Sequence, residues 1–182
     1  GQNNTGLVPT RFFTGEPLYH DGQVPGAAEI AERVHGWWQP YHDALAAELA
    51  RIRAAHGVAV LWDAHSIRSV LPRFFDGRLP DLNLGTADGA SCAPALAREL
   101  LRIAASASGF TAVLNGRFKG GHITRAHGRP DAGVHAVQLE MAQCSYMREA
   151  PPFDYLPEQA ARIQPTLERL LGAALAFAAV PL

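Results

Sequence analysis

Apolar residues recur along this chain in two rhythms, one helical and one strand-like. Across residues 26–55, Ile30, Val34, Trp37, Trp38, Tyr41, Leu45, Leu49 and Ile52 return every three or four positions, which predicts one face of a long helix. Trp37, Trp38 and Tyr41 are read as the core of that face. Pro40 is expected to kink or split the helix, and Gly57 to end it by taking the left-handed conformation. Residues 157–178 repeat the rhythm with Ile163, Leu167, Leu170, Leu171, Ala174 and Phe177, with Pro165 as a bend.

Shorter apolar runs lie between these helices. Residues 57–69 enter as Gly-Val-Ala-Val-Leu-Trp and open into Asp63, His65, Ser66 and Arg68, the form of a buried strand that delivers polar groups at its carboxyl end. Residues 111–114 predict a second strand, running out into Asn115-Gly116-Arg117-Phe118-Lys119-Gly120-Gly121. Residues 134–140 predict a third, with Val134, Ala136 and Gln138 on one face, His135, Val137 and Leu139 on the other, and Glu140 at its end. Ser91 or Cys92 is expected to cap a helix with Pro94 in its first turn and Leu96, Leu100 and Ile103 buried. Residues 1–25 read as loop with a short strand near 7–13, and residues 70–90 and 122–130 as irregular connections. Strands separated by helices predict an α/β fold with a parallel or mixed sheet covered on both faces, and a ligand crevice at the strand ends.

Composition narrows the function. The 182 residues suffice for one globular domain, and no run approaches the ~20 apolar residues of a membrane-spanning helix. A net charge of −1 offers no surplus of Lys or Arg for nucleic acid, so the expected partner is a small molecule. Two cysteines, Cys92 and Cys144, build no disulfide framework, so a reducing compartment is expected and both thiols are read as packing residues.

The polar strand ends carry the candidate chemistry. Asp63 and His65 stand two apart and point to one side, as a polar capping pair or as a metal ligand with its orienting acid. Glu140 either pairs with an arginine or serves as general base on an activated water. Arg68, Arg117, Arg125 and Arg129 lie in loops beyond strand ends, where a guanidinium can grip a carboxylate with two hydrogen bonds, so an acidic substrate is favoured. His135, inside a strand, is read as a satisfied core histidine.

Several stretches together resemble one family. Gly1-Gln-Asn-Asn-Thr-Gly6, Gly15-Glu-Pro-Leu-Tyr19, Leu61-Trp-Asp-Ala-His-Ser66, Asn83-Leu-Gly-Thr86, residues 115–121 with Ile123-Thr-Arg125, and Val137-Gln-Leu-Glu-Met141 are similar, in order, to the N-formylglutamate amidohydrolases (N-formylglutamate deformylases). The resemblance implies a three-layer α/β mixed sheet of the phosphorylase/hydrolase-like, zinc carboxypeptidase-like kind, formed by residues 1–182 as a single amidohydrolase domain. It implies hydrolysis of N-formyl-L-glutamate to L-glutamate and formate in histidine degradation, in the cytoplasm, with a divalent metal, zinc or cobalt. His65 resembles a metal ligand and Glu140 the general acid/base. Arg125, with Asn115 and Arg117, would hold substrate carboxylates or polarise the formyl oxygen, and Arg68 is a further substrate-binding candidate. Two departures stand out. Ala126 and His127 occupy positions where the family pattern has a histidine and a tyrosine, and the chain is read as N-terminally incomplete, corresponding to the C-terminal two-thirds of the family's usual chain and lacking the segment that supplies the other metal ligands. The alternatives are an amidohydrolase for another N-acyl amino acid and a non-catalytic module that binds acidic metabolites.

Overall fold

The computed structural model describes residues 7–179, so the first stretch of the resemblance, residues 1–6, lies outside the described residues. The chain divides into two compact units, residues 1–48 with 70–78 and residues 49–69 with 79–182. In the first unit, helix α1 (Ala27–Arg33) passes through a π turn (Val34–Trp38) into α2 (Gln39–His56), whose residues from Leu49 onward belong to the second unit. Pro40 accounts for the turn: it has no N–H to return to Gly36, and the Gln39 N–H reaches five residues back to the Val34 carbonyl. The expected stripe persists across this turn at Ile30, Val34, Trp38, Leu45, Leu49 and Ile52, all partly or fully buried, while two of its expected members fall outside it. Trp37 is 79% exposed and Tyr41 55%, which corrects their reading as core. His42 is buried instead and stacks on the half-buried Trp38 at 4.3 Å. The strand expected near residues 7–13 is a lone bridge from Arg11 to Pro17, closing a turn in which Gly15 takes a φ of 109°.

The second unit is built on a mixed four-stranded sheet in the order β1-β4-β2-β3, with β1 Ala59–Ile67, β2 Leu82–Gly85, β3 Ala112–Leu114 and β4 Val134–Ala142. β1 and β4 are parallel, β4 and β2 antiparallel, β2 and β3 parallel. β2 corrects the reading of residues 70–90 as an unbroken loop. Its four residues are all buried, and Asn83 is tolerated there because its Nδ2 donates to the carbonyls of Pro80 at 2.7 Å and Glu140 at 3.0 Å.

Alternation along the strands gives the sheet two unlike faces. Leu82, Leu84, Val137 and Leu139 face helices α3 (Pro94–Ala105) and α5 (Pro157–Ala178), meeting Leu96, Leu100, Ile163 and Leu170 in one buried cluster. Each fully buried leucine contributes roughly 2 kcal/mol against leaving it in water. α3 begins with Pro94 after an uncapped Ala93, whereas Ser91 or Cys92 was the expected cap. Ser91 is spent on β4: its hydroxyl donates to the Ala136 carbonyl at 2.7 Å and its own carbonyl accepts the Ala136 N–H. The stripe of α5 follows the expected positions except Leu171, which is 43% exposed, and the helix continues through Pro165. The opposite face of the sheet carries α4 (His122–His127), a helix where an irregular connection was expected.

Candidate active site

Parity and register assemble the site. β1 and β4 run side by side with Asp63 opposite Gln138 and His65 opposite Glu140, and all four side chains fall on the face away from α3 and α5. Asp63 and His65 form the same-side pair expected from their spacing: His65 Nε2 lies 2.7 Å from Asp63 Oδ1. This hydrogen bond raises the imidazole pKa, burial opposing it and the charges of Asp63 and Glu140 adding to it. Glu140, 7% exposed, is pushed by burial up to about 7; the charge of His65 opposes the shift, that of Asp63 reinforces it, and a hydrogen bond from Gln138 opposes it. A carboxyl that exchanges its proton near neutrality is suited to general acid–base work. Glu140 and His65 both lie within their strands rather than past the ends, because β1 continues to Ile67 and β4 to Ala142.

Beside this pair runs the loop that follows β3. Asn115, at a φ of 53°, accepts the Thr86 N–H at Oδ1, 2.8 Å, and donates from Nδ2 to the Thr86 hydroxyl at 2.9 Å. Its side chain therefore ties the ends of β2 and β3 together. Ala87 and Asp88 also have positive φ, 51° and 55°, so backbone strain concentrates where these strands end. The loop returns with Gly120 packed on Gly85, where a Cβ on Gly85 would come within 2.5 Å of the Gly120 nitrogen. Arg125 on α4 is exposed, and its Nη1 donates to the Gly120 carbonyl at 2.5 Å. Arg117 has its guanidinium carbon 5.4 Å from the Phe118 ring centroid, and Arg68 is exposed just past β1. Thus His65 and Glu140 share one place, Arg125 and Asn115 brace the adjoining loop, and Arg68 stands at the end of β1.

Sequence reasoning placed Gln138 and Asn83 in stretches that resemble the family but gave neither a role in the site. Gln138 stands two residues before Glu140, and that parity alone puts both on one face. Asn83 gave no such signal, since β2 itself was hidden. An apolar cavity of about 360 Å³ is lined by Trp62, Leu139, Met141, Leu167 and Leu171 and also by His65, so His65 borders both this cavity and the polar cluster. Cys92 is buried and its thiol is pushed up to about 11, in keeping with a packing role. Among the described residues no helix is long and apolar enough to cross a membrane.

An acid–imidazole pair facing a buried glutamate across two parallel strands, beside a glycine-rich loop, defines an α/β protein with an acid–base site on its sheet. The chain belongs to the N-formylglutamate amidohydrolase family, whose model matches residues 1–147. It is 54% identical over 173 residues to the N-formylglutamate deformylase of Pseudomonas aeruginosa, covering 95% of this chain and 65% of that protein. It is 53% identical over 175 residues to the N-formylglutamate deformylase of Pseudomonas putida, covering 96% and 66%. The chain thus spans just under two-thirds of the length of these curated relatives. Its fold is similar to that of N-formylglutamate amidohydrolase from Ralstonia eutropha, with a TM-score of 0.71 at 24% identity over 90% of this chain and 57% of that one. A gene product of Agrobacterium tumefaciens matches with a TM-score of 0.62 at 21% identity, over 92% of this chain and 61% of that one.

Proposed function

We propose that this chain carries the acid–base machinery of an enzyme that hydrolyses N-formyl-L-glutamate to L-glutamate and formate. The observation that carries this reading is Glu140, a buried carboxyl held near neutrality on the same face as His65 and Asp63. In the reaction Glu140 takes a proton from the attacking water as its oxygen bonds to the formyl carbon. The carbon–nitrogen bond then breaks, and the same carboxyl returns the proton to the leaving amine. Arg125, Arg117 and Arg68 supply guanidinium groups for the substrate carboxylates, and Asn115 shapes the loop that presents Arg117. Histidine degradation in the cytoplasm is the setting this activity implies, and a three-layer, carboxypeptidase-like arrangement is the fold proposed for it.

We propose a divalent metal as well, zinc or cobalt, with His65 as one ligand. Among the described residues no three His, Cys, Asp or Glu groups come together to hold a metal ion, and a catalytic zinc takes three protein ligands. His65 with Asp63 does not complete that set, so no step above is routed through a metal.

The test is an assay of formate release from N-formyl-L-glutamate with added zinc or cobalt, set against N-acetyl-L-glutamate. Glu140→Gln is expected to lower kcat by roughly 10²–10⁴, the usual contribution of a general base. Hydrolysis of the acetyl compound at an equal rate would shift the reading to another N-acyl amino acid. Binding of N-formyl-L-glutamate without turnover would replace the enzyme with a module that holds acidic metabolites.

A further inference from the structure

Gln138 is buried on β4 between two partners, and its amide can satisfy both in one orientation only. Its Oε1 lies 2.6 Å from the Gly121 nitrogen, a backbone donor, which requires the carbonyl end of the amide to point there. The amino end then faces the other way, where Nε2 donates to Glu140 Oε2 at 3.2 Å. Gly121 closes the loop of residues 115–121, and a Cβ there would sit 3.3 Å from Gln138 Oε1. Gly85 is the register partner of Gln138 and underlies Gly120 in the same loop, so backbone packs on backbone along this contact. Asn83 adds a second hold on the carboxylate-bearing residue, through the Glu140 carbonyl.

We infer that Gln138 is a positioning residue that links the loop of residues 115–121 to Glu140. Its Nε2 occupies Oε2 and leaves Oε1 as the oxygen that meets water and substrate, while its Oε1 fixes the height of the loop through Gly121. The inference rests on the proposed role of Glu140 as the base. A glutamine serves here where a purely packing residue would not, because the position needs an acceptor at one end and a donor at the other.

Two variants separate the two halves, each made in the chain with whatever natural sequence flanks it. Gln138→Glu keeps an acceptor for Gly121 and replaces the amide donor to Glu140 with a second carboxyl that competes with it for one proton. Its kcat for N-formyl-L-glutamate should fall roughly 10–100-fold, as for other partners that orient a reacting group, with KM nearly unchanged and with Gly121 amide hydrogen exchange as in the parent. Gln138→Met removes both partners: kcat should fall, KM should rise, and the Gly121 amide should exchange at least about tenfold faster. Unchanged kcat in Gln138→Glu, or unchanged Gly121 exchange in Gln138→Met, would overturn the inference. A parent chain without turnover would instead sink the functional reading, and the Gly121 exchange ratio between the two variants would then decide the loop linkage by itself.

Discussion

At the scale of single residues, Glu140 couples burial to chemistry. A carboxyl at about 7, above its ordinary 4.5, is protonated at mildly acidic pH and ionised at mildly alkaline pH, and only the ionised form accepts a proton from water. The value of kcat/KM for N-formyl-L-glutamate should therefore rise about tenfold per pH unit from roughly pH 5 and level off above about 7. A profile flat through that range, measured at constant ionic strength, would remove Glu140 from the role of base. The same parity that groups Asp63 with His65 groups Gln138 with Glu140, so much of this cluster could be read from two short words of sequence, Asp-Ala-His and Gln-Leu-Glu. What parity could not supply was which strands neighbour each other. Only the parallel register of β1 with β4 brings His65 opposite Glu140. Arg125 shows the opposite limit: as a loop arginine it suggested a substrate contact, and its described bond is to the Gly120 carbonyl, a choice that depends on how α4 sets the chain.

At the scale of elements, close backbone contact is the constraint most exposed to test. β2 approaches the loop of residues 115–121 so nearly that Gly85 has no room for a methyl group: a Cβ would meet the Gly120 nitrogen at 2.5 Å and the Lys119 carbonyl carbon at 2.7 Å. Gly85→Ala should cost about 1–3 kcal/mol in urea unfolding, the usual effect of overpacking, and should raise KM because the loop must move. Gly36→Ala is the control, since a Cβ there meets nothing within 4 Å. It should leave stability and KM close to the parent's. The elements that were legible are those whose pattern is local and repeated. α5 keeps its apolar spacing over 22 residues, and β4 carries an uninterrupted buried core. β2 was hidden because it is four residues long and contains an asparagine and a glycine, each of which reads as a turn until the Asn83 Nδ2 is seen to reach the carbonyls of Pro80 and Glu140. α4, with six residues, is too short to show a period. The long helix was legible in its period but not in its detail: the π turn ahead of Pro40 leaves Trp37 and Tyr41 exposed and puts His42 in the stripe with Trp38.

At the scale of the whole molecule, the two faces of β4 place opposing demands on stability as pH changes. His135, on the helix face, is buried against Phe177 and accepts the Ala93 N–H at Nδ1, 3.1 Å. Burial lowers its pKa below 6.5, so the unfolded chain takes up a proton more readily than the folded one as pH drops past 6.5, and stability is lost in that direction. Glu140, on the other face, has a folded value of about 7 against 4.5. Its contribution is fully present below 4.5 and is lost as pH rises through about 7, because the unfolded chain gives up that proton first. His65, its pKa raised by Asp63, acts in the same direction as Glu140, but its side chain is 45% exposed and solvent screens much of the effect. Acid therefore strains one face of the strand and alkali the other. Thermal midpoints followed across about pH 5 to 8 should separate them. Glu140→Gln should match the parent at the acid end and exceed it at the alkaline end, by on the order of 1–3 kcal/mol for a shift of this size. His135→Asn, which keeps an acceptor for the Ala93 N–H, should flatten the acid limb and leave the alkaline limb alone. An alkaline gain in Glu140→Gln together with the loss of turnover would mean that the charge needed for the reaction is the one the fold is destabilised by holding. No gain at the alkaline end would mean that Glu140 is as well solvated in the folded chain as in the unfolded one, and the near-neutral base would have to be sought elsewhere on the sheet.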